Sequence, residues 1–97
     1  MYVVTVLFII KPAHNAEFMV AMLENARTSL KNEPGCQVFD VCESSTGAVV
    51  QVFLYEVYAT AAAFQLHLAA PHFRQFNTET APWLIDKTVA VFHRVLP

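Results

Sequence analysis

Apolar positions fall into two rhythms along this chain. Tyr2–Ile10 (YVVTVLFII) is almost continuously apolar and rich in β-branched residues, the pattern of a central strand buried on both faces. Lys11-Pro12 ends it, because Pro12 cannot donate to a strand ladder. Over residues 14–31 the period lengthens: Met19, Leu23, Ala26 and Leu30 form one helical stripe, Phe18 and Met22 widen it, and Glu17, Glu24, Arg27 and Lys31 lie on or near the opposite side. His14 or Asn15 is the expected N-cap. Asn32-Glu33-Pro34-Gly35 stops the helix and turns the chain.

Cys36–Glu43 then reads as a shorter strand and Ser44-Ser45-Thr46-Gly47 as a hairpin loop with its glycine placed for a positive φ. Ala48–Tyr58 is a second strand apolar on both faces. Its odd side carries Phe53 and Tyr55, its even side Leu54, Glu56 and Tyr58. Thr60 is placed to cap a helix over 61–69, whose inner face holds Ala63, Phe64, His67 and Leu68. Ala70 precedes Pro71 and is pushed out of the α region; Pro71 suits the first turn of a new helix that ends near Ala81-Pro82. Asp86–Leu96 is the last strand.

The predicted order is β-α-β-β-α-β. The first and third strands read as buried on both faces, which are the central positions of a four-stranded antiparallel sheet ordered 4-1-3-2. Pattern and topology therefore agree on a ferredoxin-like α+β fold, one domain over residues 1–97. Helices cover one sheet face. The other would be open in a lone chain, and 56% hydrophobic against 14% charged residues is more apolar side chain than a 97-residue domain can bury. A homodimer closing the open faces on each other, a dimeric α+β barrel, is the expected assembly.

Net charge is −2, and the six Lys and Arg are scattered. No basic face for nucleic acid or an anionic membrane is expected. Tyr2–Ile10 is too short to span a bilayer and lacks the features of a signal peptide, so a soluble, cytoplasmic protein is expected. Cys36 and Cys42, six apart on one extended segment, would stand on one face about 20 Å apart, too far for a disulfide. They are expected as reduced thiols.

The chain contains no GxGxxG, GxxxxGK[ST], CxxC or HExxH, and only two glycines. Glycine-loop nucleotide binding is excluded. No metal site is expected, since His67 and His72, five apart across a proline, lack a one-face ligand spacing. No cofactor is implied. The acid–base candidates are His67, on an apolar helical face, and His72, at a helix start. The structural alternatives are a core histidine and an exposed loop histidine. Tyr55 and Phe53 on the third strand, Phe39 on the second, and Phe73, Phe76 and Trp83 from the last helical region would line an aromatic cavity suited to a flat organic substrate, or else pack as plain core. Glu56, a carboxylate inside an apolar strand, is either paired at an interface or functional.

Three motifs, PGC-x-x-F-D-V at 34–41, F-L-Y-E-V-Y at 53–58 and H-L-x-x-P-H-F at 67–73, resemble the antibiotic biosynthesis monooxygenase family over almost the whole chain. The resemblance implies a small dimeric α+β barrel that oxidises an aromatic or quinol-like substrate with oxygen and neither metal nor flavin. His67 or His72 would be the base, and Tyr55 and Trp83 would hydrogen-bond a substrate oxygen. The family also contains an isomerase of a small phosphorylated signal molecule, for which Lys11, Arg74 and Lys87 would be phosphate-binding candidates. Haem-degrading relatives use Asn and Trp beside a histidine. Here the first strand has no Asn, and Tyr58 stands where Trp is common. A non-catalytic dimeric ligand-binding protein is the remaining alternative.

Overall fold

The computed structural model describes residues 1–97, all but the side chain of Thr46. Among these residues the chain forms β1 (Tyr2–Ile10), α1 (Asn15–Asn32), β2 (Cys36–Thr46), β3 (Val49–Tyr58), α2 (Ala61–Ala69), α3 (Pro71–Thr80) and β4 (Leu84–His93), with 3-10 turns at Pro12–His14 and Ala81–Trp83. The strands make one sheet in the order β2-β3-β1-β4, every pair antiparallel. This is the ferredoxin-like arrangement that the double-sided apolar strands demand.

The register decides which side chains meet. Val4 lies opposite Glu56, Val6 opposite Leu54 and Phe8 opposite Val52, and this face packs under the helices. Phe8, Phe18 and Phe76 bring a strand, α1 and α3 together, with centroids 5.0, 5.8 and 6.2 Å apart. Each such buried ring is worth roughly 1.5–3 kcal/mol of transfer free energy.

α1 is rotated relative to the stripe read from the sequence. Its buried residues are Phe18, Met22, Asn25, Ala26 and Ser29, while Leu30 is 47% exposed. Phe18, the aromatic side chain of α1, packs on Phe8 with Met22 one turn further on in the core, and the turn of the helix then carries polar Asn25 and Ser29 inward. Ser29 meets its hydroxyl's need by donating to the Asn25 carbonyl at 2.8 Å.

β2 runs to Thr46, further than expected. The hairpin turn needs a left-handed residue, supplied by Gly47 at φ 78°. A bulge between Cys36 and Val38 breaks the strict alternation of β2. The two cysteines therefore do not share a face: Cys36 is buried in the core, Cys42 is exposed, and both thiols are free. Burial pushes the Cys36 thiol up to about 12. β4 starts and ends earlier than expected. The Lys11 N–H donates to the Trp83 carbonyl at 2.8 Å, so pairing with β1 begins at Leu84, and Val95 and Leu96 extend beyond the ladder fully exposed.

The second sheet face carries Leu7, Phe53 and Tyr55 with no helix over it. Phe53 and Phe92 are 40% and 53% exposed. Among the described residues no helix is long and apolar enough to cross a membrane.

Candidate functional site

The site grows from two helix breaks. α1 ends at Glu33, whose N–H donates to the Ser29 carbonyl (3.0 Å) and whose own carbonyl accepts from Cys36 N–H (3.0 Å). The Pro34-Gly35 turn that follows lies against α2. A Cβ on Gly35 would sit 2.5 Å from the Ala63 Cβ, so only glycine lets α2 come this close. Thr60 caps α2 by accepting from the Ala63 N–H at 3.1 Å, and the helix then delivers His67 to Glu33. At Ala70 (φ −69°, ψ 141°) the chain leaves the helix ahead of Pro71, and α3 starts in a new direction. That change of direction brings His72 back towards His67. Gly35→Ala is accordingly expected to lower stability by on the order of 1–2 kcal/mol through overpacking and to pull His67 off Glu33. Urea unfolding and the ring NMR signals of His67 would measure the two effects.

Both histidines thus hold one carboxylate. His67 Nδ1 is 2.9 Å from Glu33 Oε2, and His72 Nε2 is 2.5 Å from the same oxygen. An ionised Glu33 can only accept, so both nitrogens carry the proton and donate. His72 Nε2 is also 3.2 Å from Ser29 Oγ. The second nitrogen of His67 is then a lone pair. It makes no hydrogen bond among the described residues and is not one of the sealed, unpartnered polar atoms. Burial pushes His67 below the ordinary imidazole value. The Glu33 hydrogen bond and charge offset only part of that, which favours the neutral ring.

His67, 2% exposed, forms part of the wall of a cavity of about 240 Å³ between the helices and the sheet. Phe39, Phe64 and Phe73 surround the ring with centroids 5.9, 6.2 and 4.8 Å away. Phe76 closes the far side, and Val89 and Lys87, both on the edge strand β4, mark the rim. Three polar side chains besides His67 reach this otherwise apolar space. Glu56 accepts from the Tyr58 hydroxyl at 2.5 Å, and burial, opposed by that hydrogen bond, pushes its carboxyl up to about 7. Burial likewise drives the Tyr58 hydroxyl far above its ordinary value, with the Glu56 charge adding to it. The Asn25 side chain, 4% exposed, keeps its Oδ1 without a partner among the described residues. Lys87 rests its ammonium 5.5 and 5.8 Å from the Phe8 and Phe73 rings; burial lowers its pKa and Glu56 pulls the other way.

Of the expected site residues, His67, Phe39, Phe73, Phe76 and Glu56 meet at this cavity, and His72 stands behind His67, facing a smaller outer groove. Tyr55 and Phe53 do not. Alternation along β3 places them on the uncovered sheet face, where Tyr55 borders a groove with Thr5 and Phe92. Trp83 stacks on His14 at 5.6 Å, outside the cavity. Arg74 is exposed and away from it, and Lys11 spends its ammonium on the Pro82 carbonyl at 2.8 Å. Of the three cations considered for a phosphate, Lys87 alone borders the cavity. The sequence reading missed Glu33 and Asn25. Asn25 was recoverable, being three residues after Met22 and so on its side of the helix; Glu33 looked like part of a solvent turn. The five-residue spacing does not keep His67 and His72 apart, because the break before Pro71 re-aims the second ring.

A ferredoxin-like sheet with an aromatic cavity under its helices, and one oriented imidazole in the cavity wall, places the chain in a class of small α+β proteins. The chain belongs to the antibiotic biosynthesis monooxygenase family, whose model matches residues 1–79. It is similar to solved structures described as a "putative antibiotic biosynthesis monooxygenase" from Nitrosomonas europaea (26% identity, 99% of this chain and 100% of that one, TM-score 0.90) and from Caulobacter crescentus (27%, 98% and 90%, TM-score 0.87). Rv0793 from Mycobacterium tuberculosis shares the fold at 22% identity, covering 99% and 96%, with TM-score 0.88. No curated protein matches the sequence significantly.

Proposed function

We propose that this protein is a cofactor-independent monooxygenase that oxidises a small aromatic or quinol-like molecule with molecular oxygen. The observation that carries this reading is His67: a neutral imidazole whose Nδ1 is held by Glu33 and whose Nε2 is left free at the wall of an aromatic cavity. The substrate ring would lie among Phe39, Phe64 and Phe73, and His67 Nε2 would take a proton from its hydroxyl or activated C–H. The resulting anion gives its electrons to O2. One oxygen atom stays on carbon, the other leaves as water, and all four electrons come from the substrate, as when a hydroquinone becomes a hydroxyquinone. Asn25 is placed to hydrogen-bond a ring oxygen. A space of about 240 Å³ restricts the substrate to one or two rings. Purified protein mixed with such quinols should consume oxygen; uptake no faster than that of a His67→Ala, His72→Ala double variant would reject this function.

A second reading is favoured by the Lys87 ammonium at the rim and by two proton carriers, His67 and Glu56, on one cavity. These would suit an isomerase of a small phosphorylated hydroxyketone. Turnover of such a compound under nitrogen separates the two, since only the oxygenase needs oxygen.

The 97 residues would act as one domain in a cytoplasmic homodimer. Support comes from the uncovered sheet face, where Phe53 and Phe92 stand exposed among Leu7 and Tyr55. Light scattering at micromolar concentration should give twice the mass of one chain. Phe53→Lys should return it to the single-chain mass, and a wild-type monomer would overturn the assembly.

A further inference from the structure

The convergence of Glu33, His67 and His72 has more in it than the orientation of a base. One oxygen and two ring nitrogens, supplied by the end of α1, by α2 and by the start of α3, all lie within 4.8 Å of one another. The Glu33 oxygen is 2.9 Å from one nitrogen and 2.5 Å from the other. A tetrahedral zinc ion with bonds of about 2.0–2.1 Å needs donor–donor edges of about 3.3 Å. Both separations are shorter than that edge, so the donors would have to spread by under about 1 Å to open around an ion. Two imidazoles and a carboxylate are the donor set of zinc and its first-row neighbours rather than of magnesium or calcium. The place is reachable. The His72 and Glu33 side chains are 19% and 13% exposed, and His72 borders the outer groove of about 110 Å³. Ser29 Oγ, 3.2 Å from His72 Nε2, stands where it could hydrogen-bond a water in the fourth position.

We infer that Glu33, His67 and His72 form a site for a divalent first-row transition ion, zinc above all, and that filling it silences the cavity. The silencing rests on His67 being the base of the proposed reaction; the ion binding does not. In the ion-free protein the His67 proton sits on Nδ1, facing Glu33, and Nε2 carries the lone pair. An ion bonded to Nδ1 needs the lone pair there. The proton must then reside on Nε2, and the nitrogen at the cavity wall changes from acceptor to donor. Proton abstraction stops without anything entering the cavity. His72, bonded to the ion through Nε2, would likewise carry its proton on Nδ1.

The test uses the whole chain, freed of metal by dialysis against a chelator and titrated with zinc chloride. Isothermal titration should find one zinc per chain. His72→Ala and Glu33→Gln should each weaken it at least tenfold, with folding checked by circular dichroism. Cys42→Ser and His14→Ala should leave it unchanged. Nitrogen-15 spectra of the histidine rings should show the His67 proton move from Nδ1 to Nε2 on zinc addition, a readout independent of any substrate. Absence of stoichiometric binding, or equal affinity in the His72 and Glu33 variants, would overturn the site. Zinc bound through all three side chains while oxygen uptake continues undiminished would retain the site and overturn the silencing, along with the assignment of His67 as base.

Discussion

The His67→Ala protein should consume oxygen roughly 10²–10⁴-fold more slowly than wild type with an aromatic quinol, the usual span for loss of a positioned general base. Binding should change much less, because the ring's van der Waals contribution is shared with Phe39, Phe64 and Phe73. The loss therefore belongs in kcat rather than KM. Glu33→Gln is the sharper companion. Its amide can donate to Nδ1, which stabilises the tautomer with the proton on Nε2, so activity should fall although the ring stays in place. A His67→Ala protein that keeps full oxygen uptake would move the chemistry elsewhere, with Glu56 next in line.

Glu56→Gln should flatten part of the stability profile. An unfolded glutamate ionises near 4.5, whereas burial holds the folded carboxyl near 7. Between those values the native state keeps a proton that the unfolded state has lost. Stability therefore falls as pH rises from about 4.5 to about 7 and then levels off. That rise corresponds to about 3 kcal/mol. Glutamine can still accept from the Tyr58 hydroxyl and never ionises. The variant should match wild type near pH 4.5 and exceed it by up to about 3 kcal/mol at pH 8. Urea midpoints at pH 4.5, 6 and 8 give the difference directly, and parallel profiles for the two proteins would show that Glu56 is not held protonated.

Much of the fold was legible because strand pairing follows from which strands are apolar on both faces. Tyr2–Ile10 and Ala48–Tyr58 announced themselves as central, and the topology came with them. Proline and threonine placed the breaks around α2 and α3. What the sequence could not convey was phase. Four helix residues and two β3 residues illustrate this. Met19, Leu23, Ala26 and Leu30 satisfy helical spacing as well as the stripe actually buried, and it is the packing of Phe18 on Phe8 that settles the rotation. Phe53 and Tyr55 belong to a strand apolar on both sides, so nothing local says which side the helices cover. Glu33 was hidden for another reason. Its contacts with His67 and His72 span 34 and 39 residues and depend on Gly35 allowing α2 to approach.

Glu33 also ends an 18-residue helix, and that location has an energetic consequence. The final carbonyls of α1 carry the negative end of its dipole, and the carboxylate that meets His67 belongs to the residue that caps that end. Were the ring to take up a proton as the proposed reaction requires, the positive charge would arrive in a field already set by backbone and side chain together. Water would have to reorient to supply such a field, whereas a helix end and a doubly tethered carboxylate have no such motion left to make. In the proposed reaction, the reorganisation that slows proton transfer in solution would already have been completed during folding.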